Sequence, residues 1–233
     1  MRPTANQTAW ETGGRLQAVL FDMDGLLVDS EPLWFEAERA VMARLGSDWT
    51  EQDQRALVGG SLHRSVGYLL DRAARPASHE QVASWLVGGM AALLAERGVA
   101  AMPGALELIA ALRAARIPHA LVTSSERVIM EATLASLARH GVTFEVTVCG
   151  GDVRNPKPHP EPYQRAAALL GADPRRCVAF EDSPTGIAAA VAAGCVTIAV
   201  PGVTPIPHQP GRLVARSLAE IDLASLHGLF AAG

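Results

Sequence analysis

The sequence predicts an α/β protein with a doubly wound parallel sheet and an inserted all-helical domain. Three observations support this fold class. From His119 to Val200, short apolar runs alternate with helical patterns, which is the order expected of parallel strands joined by helices. A similar apolar run, Ala18–Phe21, stands far upstream and predicts a buried first strand. Between these two regions only helical patterns occur.

The distance between the first two strands predicts the domain organisation. A simple βαβ unit takes about 30 residues, and the chain from Asp22 to His119 is far longer. Because one helix before His119 already supplies the crossover, the excess is expected to be an inserted lid that excludes water and selects substrates. The predicted segments are a disordered tail at 1–14, a catalytic core at 15–29 and 99–233, and a helical cap at 30–98.

Short apolar runs bounded by polar residues or glycine predict the strands. In chain order these are Ala18–Phe21, His119–Thr123, Val146–Gly150, Cys177–Glu181 and Thr197–Val200, with Leu213–Ala215 as a further short candidate.

Capping residues and helical spacing predict the helices. Asp29 and Ser30 can cap the first helix, Pro32 suits its first turn, and the pattern ends near Gly46. The later predicted helices are Glu51–Leu57, Leu62–Ala74, His79–Arg97, Gly104–Ala115, Glu126–His140, Glu161–Leu170, Pro184–Ala193 and a broken Leu218–Phe230. Pro201–Pro210 is expected to be a loop.

Composition narrows the function classes. The 233 residues are 49% hydrophobic and 19% charged with a net charge of −4, as in ordinary globular proteins. The sequence has no run of lysine or arginine that would indicate binding to nucleic acid or to an anionic membrane. No apolar run approaches the roughly 20 residues of a membrane helix. Three cysteines without metal spacing indicate buried thiols in a reducing compartment. We therefore expect a cytoplasmic protein, monomeric by default.

The first strand runs directly into two acids. Asp22 and Asp24 follow the buried run Ala18–Phe21, where open α/β sheets bind their ligands, and Gly25 suits a sharp turn. Two carboxylates so close favour a shared proton or a hard cation such as Mg²⁺. The competing interpretation is an ordinary turn after a strand.

Three more strand ends carry polar residues. Thr123-Ser124-Ser125 can form an anion cradle or simply cap a helix. Lys157 stands among four alternating prolines and can place a point charge on a phosphate; the Lys157–Pro158 bond is also a candidate for the cis isomer. Glu181 and Asp182 close the fourth strand, although Asp182 alone would serve as a capping acid. The negative charge of the four acids at these strand ends predicts that a divalent ion binds between them.

These four motifs, in this order, resemble the haloacid dehalogenase superfamily of phosphohydrolases and phosphomutases. The chain is most similar to the helical-cap group that contains β-phosphoglucomutase, phosphoglycolate phosphatase and sugar-phosphate phosphatases. The resemblance covers about Leu16 to Leu226 and rests on DxDGxxxDSEP, TSS, KPxPxPY and EDSxxG. It implies a five-stranded core sheet in the order 5-4-1-2-3, with the first strand central.

The resemblance also implies roles for individual residues. Asp22 is similar to the nucleophile that forms an aspartyl-phosphate, and Asp24 to the general acid and base that also gives a backbone carbonyl to the metal. Thr123 and the Ser124 amide resemble the phosphoryl-binding motif. Lys157 resembles the lysine that neutralises the nucleophile and the phosphoryl group. The implied Mg²⁺ site comprises Asp22, Asp24, Asp182 and Glu181, the last as a ligand or as a neighbour of the metal shell.

Two enzyme classes remain open on this scaffold. We expect a magnesium-dependent phosphatase of small phosphorylated metabolites, with sugar or polyol phosphates as the leading class. The alternative is a phosphomutase, which must hold a second phosphate. Where the sugar mutases carry a cap arginine this chain has Leu62, and where they carry a lysine it has Glu126 followed by Arg127. A non-catalytic binding protein has no support, since the acids and the lysine are all present.

The cap offers further candidates for substrate contact. These are Ser61, His63 and Arg64, with Glu36 and Trp34 in addition. Arg64 is expected to face solvent unless the cap loop points inward. Trp34 lies on the apolar stripe of its helix and is expected to belong to the core.

Overall fold

The computed structural model describes residues 14–202, 206 and 211–230. Apart from Gly14, the tail predicted at 1–14 lies outside these residues, as does most of 203–210. Within the described ranges, no helix combines the length and apolarity needed to cross a membrane.

Six parallel strands form one sheet in the order β3-β2-β1-β4-β5-β6. The strands are β1 Ala18–Phe21, β2 His119–Val122, β3 Val146–Val148, β4 Cys177–Glu181, β5 Val196–Ala199 and β6 Arg212–Val214. The predicted order 5-4-1-2-3 is confirmed, and the sheet has a sixth strand, β6, which overlaps the further short candidate Leu213–Ala215. The extra strand, β6, is short and half-buried at the edge beside β5, so its sequence lacks the long apolar run of a central strand.

Nine α-helices occur in the described part of the chain: α1 Glu31–Arg44, α2 Glu51–Arg55, α3 Leu62–Asp71, α4 His79–Arg97, α5 Ala105–Ala114, α6 Arg127–Ala138, α7 Glu161–Leu169, α8 Pro184–Ala193 and α9 Leu223–Gly228. Short 3₁₀ turns occur at Gly150–Asp152, Pro174–Arg176 and Leu218–Glu220. The C-terminal helical pattern is broken as predicted, because Asp222 caps α9 as a separate helix.

The two faces of the sheet are packed differently. Alternate residues of β1 point to opposite faces, so Phe21 joins a large cluster while Leu20 joins a second one. Phe21 stacks on Phe180 with ring centroids 5.3 Å apart. The second face is covered by α7 and α8, whose alanines let both helices approach the sheet closely. This packing holds the ends of β1 and β4 side by side.

Helices α1 to α4, hereafter the helical insertion, lie between β1 and β2. The two chain crossings into and out of the insertion are tied together, because Asp29 N–H donates to Ala100 O at 2.9 Å and Met102 N–H to Leu27 O at 2.8 Å. Helix α4 also packs on α6, and one hydrophobic cluster extends through both parts. The division into a core at 15–29 and 99–233 and a cap at 30–98 stays a prediction.

Candidate active site

The sheet topology brings the predicted motifs to one edge. Strands β2, β1 and β4 are adjacent and parallel, so their carboxyl ends place Thr123, Asp22 and Glu181 next to one another. Lys157 enters from the loop after β3 and is joined to Pro158 by a cis peptide bond, the isomer that the sequence left open.

Lys157 lies at the centre of this edge. Its Nζ donates to Asp22 Oδ1 at 2.5 Å, to Glu181 Oε1 at 2.6 Å and to the carbonyl of Val122 at 2.8 Å. Burial disfavours the charged ammonium, but the carboxylates of Asp22 and Glu181 outweigh burial and raise the pKa of Lys157. The side chain is therefore a permanent, fully paired cation in the interior.

Three buried carboxylates meet beside this lysine. Single oxygens of Asp22, Glu181 and Asp182 all lie within 4.8 Å of one another. Burial and then the neighbouring Glu181 raise the pKa of Asp22 to about 8. Burial, followed by the charges of Asp22 and Glu181, also raises the pKa of Asp182 well above its ordinary value.

This cluster fits a divalent cation. If all three acids are ionised, their charge exceeds that of Lys157 by two, which one such ion would balance. The donors are hard carboxylate oxygens of the kind that Mg²⁺ prefers. Gly25, with φ +78°, leaves room for Asp182, because a Cβ at position 25 would overlap Asp182 Oδ2. The chemistry of the donor set therefore agrees with the predicted Mg²⁺ site.

Glu181 differs from the other two acids in its partners. Its Oε1 accepts from Lys157 and, at 2.5 Å, from the hydroxyl of Tyr163, while its Oε2 accepts from Ser183 Oγ at 3.2 Å. Both oxygens are thus engaged within the protein, so Glu181 holds Lys157, and Asp22 and Asp182 are better placed as ligands. Tyr163 ends the KPxPxPY motif, but we assigned it no role from the sequence. The available signal was that a tyrosine hydroxyl needs a hydrogen-bond partner when it is buried.

Asp24 is oriented by four donors. Its Oδ1 accepts from Ser30 Oγ at 2.7 Å and Trp34 Nε1 at 3.1 Å, and its Oδ2 accepts from Ser125 Oγ at 2.7 Å and more weakly from Thr123 Oγ1 at 3.5 Å. The Asp24 carboxylate lies outside the cluster of three acids, so only its backbone carbonyl remains for the predicted metal role.

Trp34 combines the two positions that the sequence suggested for it. Its ring packs against the hydrophobic cluster as predicted, but it also lines the cavity, and its indole N–H binds Asp24. The apolar stripe of α1 revealed the buried face of the helix and could not reveal the acceptor, which comes from the loop after β1.

A cavity of about 80 Å³ opens above these groups, between the strand ends and the helical insertion. Thr123 and Ser124 line it, as do Asp22, Asp24 and Lys157. In the described chain the Ser124 N–H donates to no protein acceptor, so it is available to an anion. The alternative that Thr123-Ser124-Ser125 caps a helix is not observed, because Glu126 is the residue before α6.

The predicted cap residues Ser61, His63 and Arg64 do not line this cavity, and neither does Glu36. Ser61 caps α3, the exposed His63 ring lies 4.7 Å from that of His79, and Arg64 donates to Ala56 O at 2.9 Å. The reason is helix geometry: α3 begins at Leu62, so Leu62 and Ser65 share the inner face while positions 63 and 64 face outward. The exposed Glu36 instead pairs with Arg97 at 2.7 Å.

Four polar side chains of the helical insertion line the cavity but were given no role from the sequence, namely Glu31, Glu38, Gln54 and Ser65. Glu31 receives a hydrogen bond from Gln54 Nε2 at 3.0 Å, and Glu38 receives one from Trp49 Nε1 at 3.1 Å. Burial, then the charges of Asp24 and Asp29, raises the pKa of Glu31 to about 7. Burial raises the pKa of Glu38 to about 8. The sequence offered one signal for Glu38, because an acid on the buried face of α1 is unusual unless it has a partner.

The loop before α3 seals one side of the cavity. Thr185 Oγ1, at the start of α8, donates to Gly59 O at 2.6 Å. Gly59 has φ +68°, and a Cβ there would lie 2.5 Å from the Cβ of Ser183. The close contact therefore requires glycine, and it joins the insertion to the sheet edge.

Comparison with known proteins identifies relatives of the chain. The model of the haloacid dehalogenase-like hydrolase family matches residues 19–200. The chain is 33% identical over 225 residues to hexitol phosphatase B of Escherichia coli (strain K12), covering 94% of this chain and 97% of that protein. It is 34% identical over 181 residues to a phosphorylated carbohydrates phosphatase of Thermotoga maritima, covering 77% of this chain and 82% of that protein. The crystal structure of CbbY from Rhodobacter sphaeroides in complex with phosphate matches with a TM-score of 0.81 at 31% identity, covering 91% of this chain and 99% of that chain.

Proposed function

The chain belongs to the haloacid dehalogenase-like hydrolase family, and we propose that it is a magnesium-dependent phosphatase of sugar and polyol phosphates. The observation that carries the proposal is the pairing of two acids with different surroundings. Asp22 contacts Lys157 and belongs to the cluster of three acids. Asp24, two residues further along the chain, accepts hydrogen bonds from hydroxyl groups and an indole N–H. The names of the two curated relatives favour phosphorylated carbohydrates as the substrate class.

Asp22 is the proposed nucleophile. Its carboxylate attacks phosphorus in line with the ester oxygen, the P–O bond to the sugar breaks, and an aspartyl-phosphate forms. Asp24, entering in its acid form, gives its proton to the departing oxygen and releases the alcohol. Asp24 then takes a proton from water, which attacks the aspartyl-phosphate and frees inorganic phosphate and Asp22. One acid is thus the nucleophile and the other moves the proton.

Charge neutralisation by the protein comes from the groups around the phosphoryl position. Lys157 neutralises the nucleophile and the transferring phosphoryl group, while Thr123 and the Ser124 N–H bind its oxygens. Asp22, Asp182 and the backbone carbonyl of Asp24 would hold Mg²⁺, with Glu181 keeping Lys157 in place. When bound, the ion supplies Lewis-acid stabilisation of the charge that spreads over the phosphoryl oxygens. A cytoplasmic monomer remains our prediction for the state of the enzyme.

The test is phosphate release from a panel of sugar, polyol and glycolate phosphates. We expect release in Mg²⁺, loss of release in EDTA, and recovery when Mg²⁺ is restored. Asp22→Asn keeps the size of the side chain and removes the nucleophile, so it serves as the blank. Absence of release from every compound would contradict the phosphatase, and the same panel primed with a bisphosphate would then test the phosphomutase alternative.

A further inference from the structure

The part of the cavity wall contributed by the helical insertion contains polar groups that the proposed reaction does not use. Glu31, Glu38 and Gln54 all line the cavity together with the reacting groups. Gln54 Nε2 is bonded to the carbonyl of Glu31 at 2.6 Å and to its carboxylate at 3.0 Å, so these two side chains hold each other in place. Polar groups so placed are available to the part of a substrate remote from its phosphate.

Glu38 is the most deeply buried member of this wall. The residue is 4% exposed, and Trp49, itself buried, donates its indole N–H to Oε2. Within the described residues no cation contacts Glu38, and its Oε1 accepts no hydrogen bond. This oxygen is therefore open to a hydrogen-bond donor from outside the protein. Because the side chain lines the cavity, that donor would come from a bound molecule.

The charges around the cavity restrict what that molecule is. Six acids line the described cavity against one cation, Lys157, which is already bonded to Asp22 and Glu181. Leu62 lines it with an apolar side chain, while Arg64 lies outside it and Arg127 pairs with Asp152. A second phosphate would therefore meet no cation in this cavity.

We propose that Glu38, oriented by Trp49, binds hydroxyl groups on the carbon chain of the substrate and thereby selects monophosphates with a neutral, hydroxylated leaving group. The assignment rests on the proposed phosphatase and names the substrate class of the same site. Gln54 and Glu31 complete the hydroxyl-binding wall. The raised pKa of Glu38 suits this task, since a protonated carboxyl both donates to and accepts from a hydroxyl.

The kinetic test separates binding of the carbon chain from the chemistry at phosphorus. Glu38→Leu keeps the approximate size of the side chain and removes its oxygens. For sorbitol 6-phosphate we expect KM to rise roughly tenfold to a hundredfold, the range for losing one or two hydrogen bonds to a carboxyl group. For p-nitrophenyl phosphate, which has no hydroxylated chain, the change in kcat/KM should be much smaller. Glu38→Gln should recover most of the affinity, because an amide still pairs with both Trp49 and a hydroxyl.

The matched control is Glu36→Leu, the same substitution on the same helix. Glu36 is exposed, pairs with Arg97 and does not line the cavity, so its replacement should leave both substrates unaffected. Thermal unfolding of each variant confirms that the comparison is between folded proteins. Equal losses for sorbitol 6-phosphate and p-nitrophenyl phosphate in Glu38→Leu would overturn the assignment.

Two substrate pairs test the charge argument in the wild-type enzyme. Fructose 6-phosphate should be preferred to fructose 1,6-bisphosphate by at least roughly tenfold in kcat/KM, because the second phosphate finds no cation. Glucosamine 6-phosphate should not be preferred to glucose 6-phosphate, because the wall binds hydroxyls. A preferred bisphosphate, or a strongly preferred amine that depends on Glu38, would each overturn the proposal.

A binding measurement keeps this inference separate from the proposed reaction. Calorimetry with sorbitol 6-phosphate and Mg²⁺ uses Asp22→Asn, which cannot turn over, with and without Glu38→Leu. We expect Glu38→Leu to weaken binding by the same factor as it raises KM. If the wild type releases no phosphate but binding depends on Glu38, the phosphatase fails and the hydroxyl site stands. If binding is equal in both variants, the hydroxyl site fails whatever the activity.

Discussion

Glu181 holds Lys157 in the protein interior with its Oε1 2.6 Å from the lysine Nζ. Glu181 is completely buried, and its carboxylate also accepts hydrogen bonds from Tyr163 and Ser183. Lys157 is the single lysine of the 233-residue chain. This carboxylate therefore fixes the one lysine ammonium of the protein against Asp22.

Replacing Glu181 by Gln should destabilise the protein and reduce its activity. An amide cannot balance the ammonium of Lys157, and its NH₂ group would face the donors of Lys157 or Tyr163. We expect a loss of about 1–3 kcal/mol in unfolding free energy, the cost of breaking a hydrogen bond to a buried charged group. Urea unfolding in EDTA measures this loss without a contribution from metal.

Tyr163→Phe provides the graded comparison for that measurement. It removes one donor to Glu181 but leaves the contact with Lys157, so its effect should be smaller, about 1 kcal/mol. A Glu181→Gln protein that unfolds at the same urea concentration as the wild type would show that the pair contributes nothing to stability.

The contact between Thr185 and Gly59 predicts how firmly the helical insertion closes on the sheet edge. Thr185→Val keeps the shape of the side chain and removes the 2.6 Å hydrogen bond to Gly59 O. The loss of about 0.5–1.5 kcal/mol should raise KM for a sugar phosphate several-fold while kcat stays nearly constant. Solution scattering should show a slightly larger radius of gyration.

The control for Thr185 is Thr147→Val, which makes the same replacement at a half-buried position on β3, away from the cavity. An unchanged KM in Thr185→Val would indicate that the contact does not control access to the site. It would also argue against a lid that opens about the crossings near 28–31 and 98–104.

Burial of Glu38 predicts a pH dependence of stability. The folded protein raises the pKa of Glu38 from 4.5 to about 8, so between these values the folded state binds more protons than the unfolded chain. The contribution of Glu38 to stability is therefore greatest below pH 4.5 and decreases as pH rises to about 8. Neighbouring Glu31 and the donor Trp49 share its environment.

Glu38→Gln removes this titration and keeps the hydrogen bond to Trp49, so thermal unfolding of this variant should vary less with pH. Glu36→Gln, on the same helix, should keep the wild-type pH dependence except for a small loss of stability above pH 4.5, because pairing with Arg97 lowers the pKa of Glu36 and stabilises only its ionised form. Parallel curves for Glu38→Gln and the wild type would disprove the role of Glu38.

Thr133 on α6 predicts a stabilising substitution. Its side chain is fully buried, and its hydroxyl oxygen has no hydrogen-bond partner in the structure. Thr133→Val replaces the hydroxyl by a methyl group of the same shape, so we expect a gain of about 1 kcal/mol in unfolding free energy. Thr133→Ser keeps the hydroxyl and removes a methyl group, and it should lower the melting temperature. A valine variant that melts below the wild type would contradict this explanation.

The positions of the core motifs could be predicted from sequence because a parallel sheet imposes a simple rule. Each apolar run ends at the same edge, so Asp22, Thr123 and Asp182 had to lie close together once the strand order was known. Local signals also located the helices of the insertion, since caps and apolar spacing depend on residues near one another in the chain.

Tertiary structure decided the side of the cavity formed by the insertion. Ser61, His63 and Arg64 were plausible from sequence, but α3 presents Leu62 and Ser65 inward, and α1 delivers Glu38. Sequence by itself predicted the fold class from short-range patterns, and the resemblance of its four motifs to a known family supplied the strand order and the candidate reacting groups. Which faces of the inserted helices meet the cavity depends on how α4 packs on α6 and Gly59 on Thr185, contacts between residues distant in sequence that no local pattern encodes.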